Sequence, residues 1–86
     1  MKYELHKNFI KLYQKLPAKI QKVTKEKISL FDENIYNSEL NNHALVGKYL
    51  GYRSINITGD YRAIYKIISK NKIIFVTIGT HSQLYR

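Results

Sequence analysis

Apolar residues recur at helical spacing in the first third of the chain. Starting at Phe9 they continue through Leu12, Tyr13 and Leu16, while lysines fall off this stripe, and the pattern predicts an amphipathic helix. Pro17 disfavours helical geometry at the preceding residue but suits the first position of a new helix. A second stripe follows at Ile20, Val23, Ile28 and Phe31. The spacing therefore predicts a helical hairpin that bends at Pro17.

From Gly51 onward, β-branched and aromatic residues replace the helical pattern. Three runs, at residues 52–57, 61–68 and 72–78, are separated by turn-forming tripeptides. Such short connections favour antiparallel neighbours, and residues 2–6 add a candidate edge strand. The expected fold class is α+β, with an N-terminal helical hairpin packed on one face of an antiparallel sheet of about four strands. The opposite face of the sheet would stay free for function.

The segment between these two halves, from Asp32 to Leu50, is rich in polar and turn-forming residues. It is long for a passive connection, and we expect one short turn of helix within it. With 86 residues, the chain is expected to form a single domain, residues 1–86, with a thin core. A deep, enclosed active site is therefore not expected.

The charge balance indicates a class of partner. Fifteen Lys and Arg against six Asp and Glu give a formal charge of +9, which favours RNA, DNA, an anionic membrane or an acidic protein. No stretch approaches the roughly 18 apolar residues that a membrane span needs, and the first residues lack the apolar run of a signal peptide. The chain has no cysteine, which excludes disulfides and thiolate metal sites. We therefore expect a cytoplasmic protein without a membrane partner.

Histidines are the first candidates for chemistry, because their side chains titrate near neutral pH. His81 follows the last predicted strand and a glycine, so it would project from a rigid sheet end; the alternative is an exposed histidine in a C-terminal tail. His43 lies in the long connection and is equally explained as a surface loop residue. The spacing of these two histidines and His6 does not support a zinc site, and no cofactor-binding motif is present, so neither a metal nor a cofactor is expected.

Arg53 and Arg62 lie on different predicted strands, and each could bind phosphate through charge-assisted hydrogen bonds. In a sheet the two could converge; alternatively, both are exposed strand arginines that maintain solubility. Asp60 is typical of a hairpin turn, although a carboxylate near His81 could also orient or deprotonate a reacting group. Tyr85 could stack on a base or pack onto the sheet.

Four segments, in this order, resemble those of the RelE/ParE superfamily of toxins, and most closely its YafQ type. They are residues 43–49 (HALVGKY), 51–53 (GYR), 59–65 (GDYRAIY) and 78–85 (IGTHSQLY). The resemblance covers the second half of the chain, and the Leu-Pro-X-X-Ile bend of the helical hairpin is similar as well. Each segment is short, but four in order form a fairly specific pattern.

The resemblance implies the toxin of a type II toxin–antitoxin system, which cleaves messenger RNA in the ribosomal A site. The implied partners are the ribosome, this mRNA and a cognate antitoxin. The implied catalytic positions are His81 as general acid, together with His43, Asp60 and Arg62. The implied RNA-binding positions are Arg53, Tyr85, Lys48, Tyr61 and Asn56.

Two positions depart from the YafQ pattern. Asn56 stands where another histidine is common, and Tyr61 replaces the tryptophan that usually follows the aspartate. An asparagine can hold a hydroxyl group but cannot accept its proton, whereas Tyr61 still offers a stacking surface. The identity of the general base is therefore left open between Asp60 and His43.

The implied reaction needs no metal, because the 2′-hydroxyl of the RNA attacks the adjacent phosphate and leaves a 2′,3′-cyclic phosphate and a 5′-hydroxyl. Either Asp60 or His43 would accept the 2′-hydroxyl proton, the two arginines would stabilise the phosphorane, and His81 would protonate the departing oxygen. Two alternatives stay open: a ParE-like toxin that inhibits DNA gyrase without needing these histidines, and a non-catalytic basic RNA-binding module, which Asn56 favours.

Overall fold

The part of the chain that the computed structural model describes, residues 2–85, forms three α-helices and a five-stranded sheet. The helices are α1 (Lys7–Gln14), α2 (Ala18–Glu33) and α3 (His81–Leu84). The strands are β1 (Lys2–Leu5), β2 (His43–Ala44), β3 (Arg53–Asn56), β4 (Tyr61–Ser69) and β5 (Lys72–Thr80). Two 3₁₀ turns, Ser38–Leu40 and Gly47–Tyr49, lie in the connection between α2 and β3, where one turn of helix was predicted.

The predicted helical hairpin is confirmed, and side-chain hydrogen bonds close its bend. Pro17 is the N-cap of α2, with its φ of −54° compatible with helix entry. Gln21 Nε2 donates to the carbonyl oxygens of Tyr13 at 3.0 Å and Leu16 at 3.1 Å, and the Tyr13 hydroxyl donates to Gln21 O at 3.2 Å. These bonds satisfy carbonyl groups that the end of α1 would otherwise leave unpaired.

The sheet has the strand order β1-β5-β4-β3-β2, which differs from the prediction in two ways. β1 lies at an edge, as predicted, but it pairs with β5 in parallel, whereas the other pairs are antiparallel. The long connection between them, which includes the helical hairpin, lets β1 and β5 run in the same direction. β2 is the additional strand, and two residues are too few for an alternating pattern to be visible in the sequence.

Aromatic side chains form the centre of the core between the helices and the sheet. The ring of Phe31 in α2 lies 5.0 Å from Tyr65 and 5.3 Å from Phe75, and Phe9 in α1 lies 5.6 Å from Phe75, all measured between ring centroids. Pairs in such tilted or edge-to-face arrangements add about 0.5–1.5 kcal/mol each beyond the burial of their area. These contacts fix the helical hairpin on one face of the sheet.

A bulge at Val76 in β5 changes which residues face the helices. Phe75 and Thr77 pair with consecutive residues of β4, so Val76 between them is the extra residue. As a result, Phe75 and Ile78 both belong to the core beneath the helices, although an unbroken strand would place them on opposite faces.

The long connection is held against the sheet by Asn42. Its Nδ2 donates to Ile35 O at 2.8 Å, and its Oδ1 accepts hydrogen bonds from Arg53 Nε at 2.9 Å and the Tyr65 hydroxyl at 2.9 Å. Burial raises the pKa of the Tyr65 phenol, and the bond to Asn42 offsets part of this effect. Leu40 is fully buried in the same core. The connection is therefore an ordered part of the fold.

Two kinds of feature are absent from residues 2–85. No helix there combines the length and the apolar character needed to cross a membrane. No three or more His, Asp or Glu side chains come together there as a group that could hold a metal ion.

Candidate active site

The register of the sheet divides the side chains between its two faces. Partners across an antiparallel ladder project to the same side. Asn56 pairs with Arg62, and Arg62 in turn pairs with Gly79, while Ser54 pairs with Ile64. We call the side that carries Ser54, Asn56, Arg62 and Ile64, opposite α1 and α2, the open face. A small cluster of Leu45, Ile64 and Leu84 packs there.

His81 is the first residue of α3, immediately after β5, and its backbone is fixed from two sides. Its N–H donates to Asp60 O at 3.0 Å. Thr80 caps the helix, because Gln83 N donates to Thr80 Oγ1 at 3.2 Å and Thr80 N donates to Gln83 Oε1 at 2.8 Å. Leu84 is buried and anchors the same turn. The structure thus places an exposed imidazole at an ordered end of the sheet.

Tyr85 lies beside His81 at the end of α3. Their ring centroids are 4.7 Å apart, and the Tyr49 ring packs on Tyr85 edge-to-face at 5.7 Å. Burial raises the pKa of the Tyr85 phenol, the neighbouring Tyr49 raises it further, and the positive charge of Arg62 lowers it. The phenol is therefore protonated at neutral pH, and Tyr85 remains 37% exposed, which leaves ring surface for a base.

Arg62 and Asp60 lie at the turn between β3 and β4. Arg62 Nη1 donates to the carbonyl oxygens of Thr58 at 2.9 Å and Tyr61 at 3.2 Å, which holds the half-buried guanidinium in place. Its other N–H groups have no partner among residues 2–85, so they can bind a phosphate. The exposed Asp60 carboxylate likewise makes no hydrogen bond or ion pair in that part of the chain. Both groups are available next to His81.

His43 lies on β2 and pairs with Ser54, which places it on the open face. Its Nδ1 is 2.7 Å from Asn41 O. A carbonyl oxygen only accepts hydrogen bonds, so Nδ1 carries the proton, and a neutral ring then has its free lone pair at Nε2. Asn41 adopts a left-handed φ of 46° in the turn that precedes β2. The backbone thus sets the tautomer that a general base needs.

Four of the predicted site residues come from four adjacent strands. His81 follows β5, Arg62 lies on β4, Asn56 pairs with it on β3, and His43 lies on β2, one step further along the sheet. Neighbouring strands are about 4.8 Å apart, which separates the ends of this row by roughly 14 Å across the sheet. The row is also oblique, because His43 is level with Ser54, two residues from Asn56, and His81 lies two residues beyond Gly79. Asp60 lies at the His81 end. An arginine therefore lies between two histidines, an arrangement that offers a phosphodiester a proton-transfer group on either side.

Two buried polar atoms lie beneath this row. Ser54 Oγ and Asn56 Oδ1 are buried and have no hydrogen-bond partner within residues 2–85. Leaving such an atom unpaired costs about 1–3 kcal/mol, and native structures retain few of them outside functional sites. Ser54 was not among the residues that the sequence singled out; the available signal was a pair of polar residues, 54 and 56, on one side of a strand whose other side carries Ile55 and Ile57.

Arg53 and Tyr61 do not join the site. Arg53 pairs with Tyr65, so it projects to the helix side, where its Nε donates to Asn42. The predicted convergence of Arg53 with Arg62 is therefore wrong, because residues 53 and 56 of the same strand point to opposite faces and only Asn56 shares a face with Arg62. Tyr61 packs against the core beneath the helices, so its ring does not extend the open face.

Tyrosines form a row that leads away from His81 along the open face. Tyr49 packs edge-to-face on Tyr85 at 5.7 Å and on Tyr52 at 6.2 Å. Lys48, a predicted RNA-binding residue, is exposed, and its Nζ lies 5.2 Å from the Tyr49 ring centroid. The tyrosines of this row, interleaved with basic residues in the sequence, are a general footprint of RNA binding, but they come from separate segments and their contacts could not be read from the sequence.

The fold is shared with solved toxin structures. YafQ from E. coli strain BL21(DE3) superposes with a TM-score of 0.81 at 21% identity, over 99% of this chain and 98% of that chain. The E. coli DinJ-YafQ toxin-antitoxin complex gives 0.79 at 22% identity, over 99% and 97%. The RelB-RelE antitoxin-toxin complex from Methanococcus jannaschii gives 0.73 at 24% identity, over 95% and 94%. None of the curated proteins compared with the chain matches it significantly.

Helices on one face of a five-stranded sheet and an open opposite face define a RelE-like fold. The particular family follows from the sequence profile described as "Bacterial toxin of type II toxin-antitoxin system, YafQ", which matches residues 1–86. The chain belongs to this YafQ family, as the resemblance of its four segments predicted.

Proposed function

We propose that this toxin is an mRNA endoribonuclease that acts on translating ribosomes. The observation that carries the proposal is the row across the open face, in which Arg62 lies between His81 and His43. Internal attack of a 2′-hydroxyl is an in-line displacement, so the attacking and departing oxygens lie on opposite sides of the phosphorus. A row with one histidine on each side of a phosphate-binding arginine matches this requirement.

Each group has a distinct role in this mechanism. His43 accepts the 2′-hydroxyl proton at Nε2, because its Nδ1 is committed to Asn41 O. Arg62 stabilises the charge that develops on the phosphorane, and protonated His81 donates its proton to the departing 5′-oxygen. The products are a 2′,3′-cyclic phosphate and a 5′-hydroxyl, so protons and charge balance without a metal ion. Asp60 lies at the His81 end, where its backbone carbonyl oxygen accepts a hydrogen bond from His81 N, and its carboxylate is the alternative base.

The mRNA is presented by the ribosome. The site lies on an open sheet face and not in an enclosed cleft, so few protein groups can hold a flexible RNA in an attack-ready conformation. A ribosome that holds the A-site codon would supply this positioning, which contributes most when both reactants are fixed. Tyr85 stacks on a neighbouring base and Lys48 binds the backbone. Free RNA is therefore a poor substrate.

We also propose a cognate antitoxin as the protein partner. The relatives of E. coli and M. jannaschii described above were solved in complexes named for an antitoxin and a toxin. A formal charge of +9 favours an acidic or amphipathic segment, and the open face is the surface that such a segment must cover to block the site. The protein is expected to act in the cytoplasm, where translating ribosomes are found.

The decisive experiment is ribosome-dependent cleavage of mRNA by the purified His81→Ala variant. Loss of a general acid lowers the rate by about 10²–10⁴-fold. The matched control is Ser82→Ala, an exposed neighbour in the same helical turn, which should cleave at the wild-type rate. Full activity of a folded His81→Ala protein would exclude the proposed mechanism. Gyrase inhibition without any cleavage, measured as DNA damage signalling, would instead support the ParE-like alternative.

His43→Gln and Asp60→Asn separate the two candidate bases. If His43 is the base, His43→Gln lowers the cleavage rate by about 10²–10⁴-fold. Asp60→Asn should then lose much less activity, because His81 N donates to the Asp60 backbone carbonyl, which this change keeps. The reverse pattern would assign the base to Asp60.

A further inference from the structure

We propose that the open face carries a second nucleotide-binding subsite, which holds a residue of single-stranded RNA adjoining the scissile bond. The subsite is a groove of about 490 Å³ lined mainly by His6, Asn8, Lys48, Tyr49, Tyr52 and Thr77. We call it the side groove. The inference rests on the proposed function in one respect: RNA is taken to be the ligand that crosses the open face at His81.

A series of aromatic contacts connects the side groove to His81. The ring of His81 contacts Tyr85, Tyr85 contacts Tyr49, and Tyr49 contacts Tyr52, with centroid separations of 4.7, 5.7 and 6.2 Å. Tyr49 and Tyr52 also line the side groove, so the row of tyrosines that starts at Tyr85 ends inside it. A strand that places one base on Tyr85 therefore finds further aromatic surface on Tyr49 and Tyr52. Successive aromatic rings are the usual platform on which unpaired bases stack.

Cations accompany the tyrosines of the groove. Lys48 Nζ lies 5.2 Å from the centroid of Tyr49, and Lys66 Nζ lies 5.9 Å from that of Tyr52. Lys66 projects to the open face, because it is two residues from Ile64 on an alternating strand. Neither lysine forms an ion pair within residues 2–85. Both are therefore free to bind the phosphates that link stacked nucleotides.

The wall formed by the start of α1 supplies hydrogen-bonding groups. Asn8 N donates to His6 Nδ1 at 3.0 Å, so a neutral His6 ring carries its proton on Nε2 and offers a donor. Asn8 Nδ2 donates to Val76 O at 3.2 Å, which leaves its amide oxygen as an acceptor without a partner in residues 2–85. The donor and the acceptor on this wall can hydrogen-bond to the edge of a base, and the two tyrosine rings opposite can stack on its face.

RNA explains these features better than an acidic protein segment does. An acidic segment needs the lysines but makes no particular use of two tyrosine rings, whereas a nucleotide uses the rings, the lysines and the polar wall together. The volume also falls in the range of about 300–1,000 Å³ typical of small-ligand sites. The side groove thus extends the RNA path beyond the active site.

The test is the affinity of the full chain for a fluorescent hexaribonucleotide with 2′-O-methyl riboses, which cannot be cleaved, measured by fluorescence anisotropy. Tyr52→Ala should weaken binding by about tenfold, the value of one base stack. Lys66→Glu should weaken it several-fold. The matched control is Lys70→Glu, the same charge change at an exposed turn position outside the groove, which should have a much smaller effect. Because Lys66 is exposed, its substitution leaves the core intact even if Tyr52→Ala does not fold.

Separate outcomes distinguish the groove from the active site. His81→Ala should keep its affinity for the hexamer within about twofold, because His81 does not line the groove, whether or not it abolishes cleavage. Photocrosslinking of a 4-thiouridine hexamer should label Tyr52 or His6. Equal affinities for wild type, Tyr52→Ala and Lys66→Glu would overturn the inference. So would tight binding of an acidic peptide to the groove that the RNA hexamer does not displace.

Discussion

At the scale of single residues, two arginines of similar sequence context have opposite roles. Arg62 lies on the open face, and most of its N–H groups have no partner among residues 2–85, whereas Arg53 lies on the helix side and donates to Asn42. Asn42 precedes His43, so Arg53 supports the segment that carries the proposed base. The face on which each arginine projects decides between a phosphate ligand and a structural anchor.

Substituting each arginine with glutamine should separate these roles. Arg62→Gln removes charge stabilisation from the transition state and should lower ribosome-dependent cleavage by about 10²–10³-fold, with little change in stability. Arg53→Gln should lower the free energy of unfolding by about 1–3 kcal/mol, because it weakens a charged hydrogen bond to Asn42. Urea denaturation and single-turnover cleavage measure the two effects. An Arg53→Gln protein that is as stable as wild type but inactive would contradict this assignment.

Tyr65 predicts a response to alkaline pH. Burial raises the pKa of its phenol above the ordinary value of 10.0, so the folded state favours the protonated form. This contribution to stability is fully present below pH 10 and is lost as the pH rises through the folded-state pKa. The free energy of unfolding of wild type should therefore fall above about pH 10. Tyr65→Phe should flatten this fall and cost about 1 kcal/mol at neutral pH, because it removes the bond to Asn42.

At the scale of elements, the short helix α3 determines where His81 lies. Its capping box joins Thr80 and Gln83, and Gly79 packs closely beneath it, since a Cβ at Gly79 would lie 3.0 Å from Gln83 Oε1. A side chain at position 79 would therefore crowd the Gln83 side chain that caps α3. The first turn of the helix and the last residues of β5 form one unit.

Thr80→Ala should lower the rate of mRNA cleavage strongly and the free energy of unfolding only slightly. Loss of the N-cap costs about 1 kcal/mol, a modest part of the stability of a small domain. The same change frees the first turn of α3 and with it the position of His81, so the cleavage rate should fall by about tenfold or more. Thr80→Ser, which keeps the hydroxyl, should restore both properties. Thermal unfolding and cleavage assays on the three proteins test this; equal activity of Thr80→Ala and wild type would show that the cap does not position His81.

The helical hairpin was predictable from sequence because its signals are local: apolar spacing before Pro17 and again after it. The three long strands were predictable for the same reason. The faces of the sheet were not, because the Val76 bulge shifts the parity of β5 and the two-residue β2 leaves no pattern. The sequence identified His81, His43 and Arg62 as candidates. It could not tell that Arg53 and Tyr61 project away from them, because this depends on the register in which β3 pairs with β4.

At the scale of the whole molecule, the charge of +9 is spread over both sides of the sheet. Lysines on α2, such as Lys22 and Lys25, are exposed on the helix side, while Lys48, Lys66 and Arg62 carry the charge of the open face. Only the second set lies where RNA is proposed to bind. Substitutions in each set can therefore show which lysines cause the salt dependence of RNA binding.

RNA affinity should fall with added salt in proportion to the phosphates that the open face contacts. Each phosphate bound on a single strand contributes about −0.7 to the slope of log affinity against log salt, so three cations predict a slope near −2. Lys66→Gln should reduce the slope by one such step, whereas Lys22→Gln on α2 should leave it unchanged. Titrations between about 50 and 200 mM salt measure it. A slope that responds equally to both substitutions would mean that RNA binds without preference for the open face.

Because β1 pairs in parallel with β5, the docking of β1 is a late step of folding that depends on most of the chain. Lys2 pairs with Lys72, so a loop of 70 residues, 72 minus 2, must close before this contact can form. The entropic cost of closure grows only with the logarithm of loop length, but contacts of such separation slow the search for the native state. The helical hairpin can form early from neighbouring residues, whereas β1 has no partner until β5 is in place. Docking of β1 thus requires that nearly all of the rest of the chain has already folded.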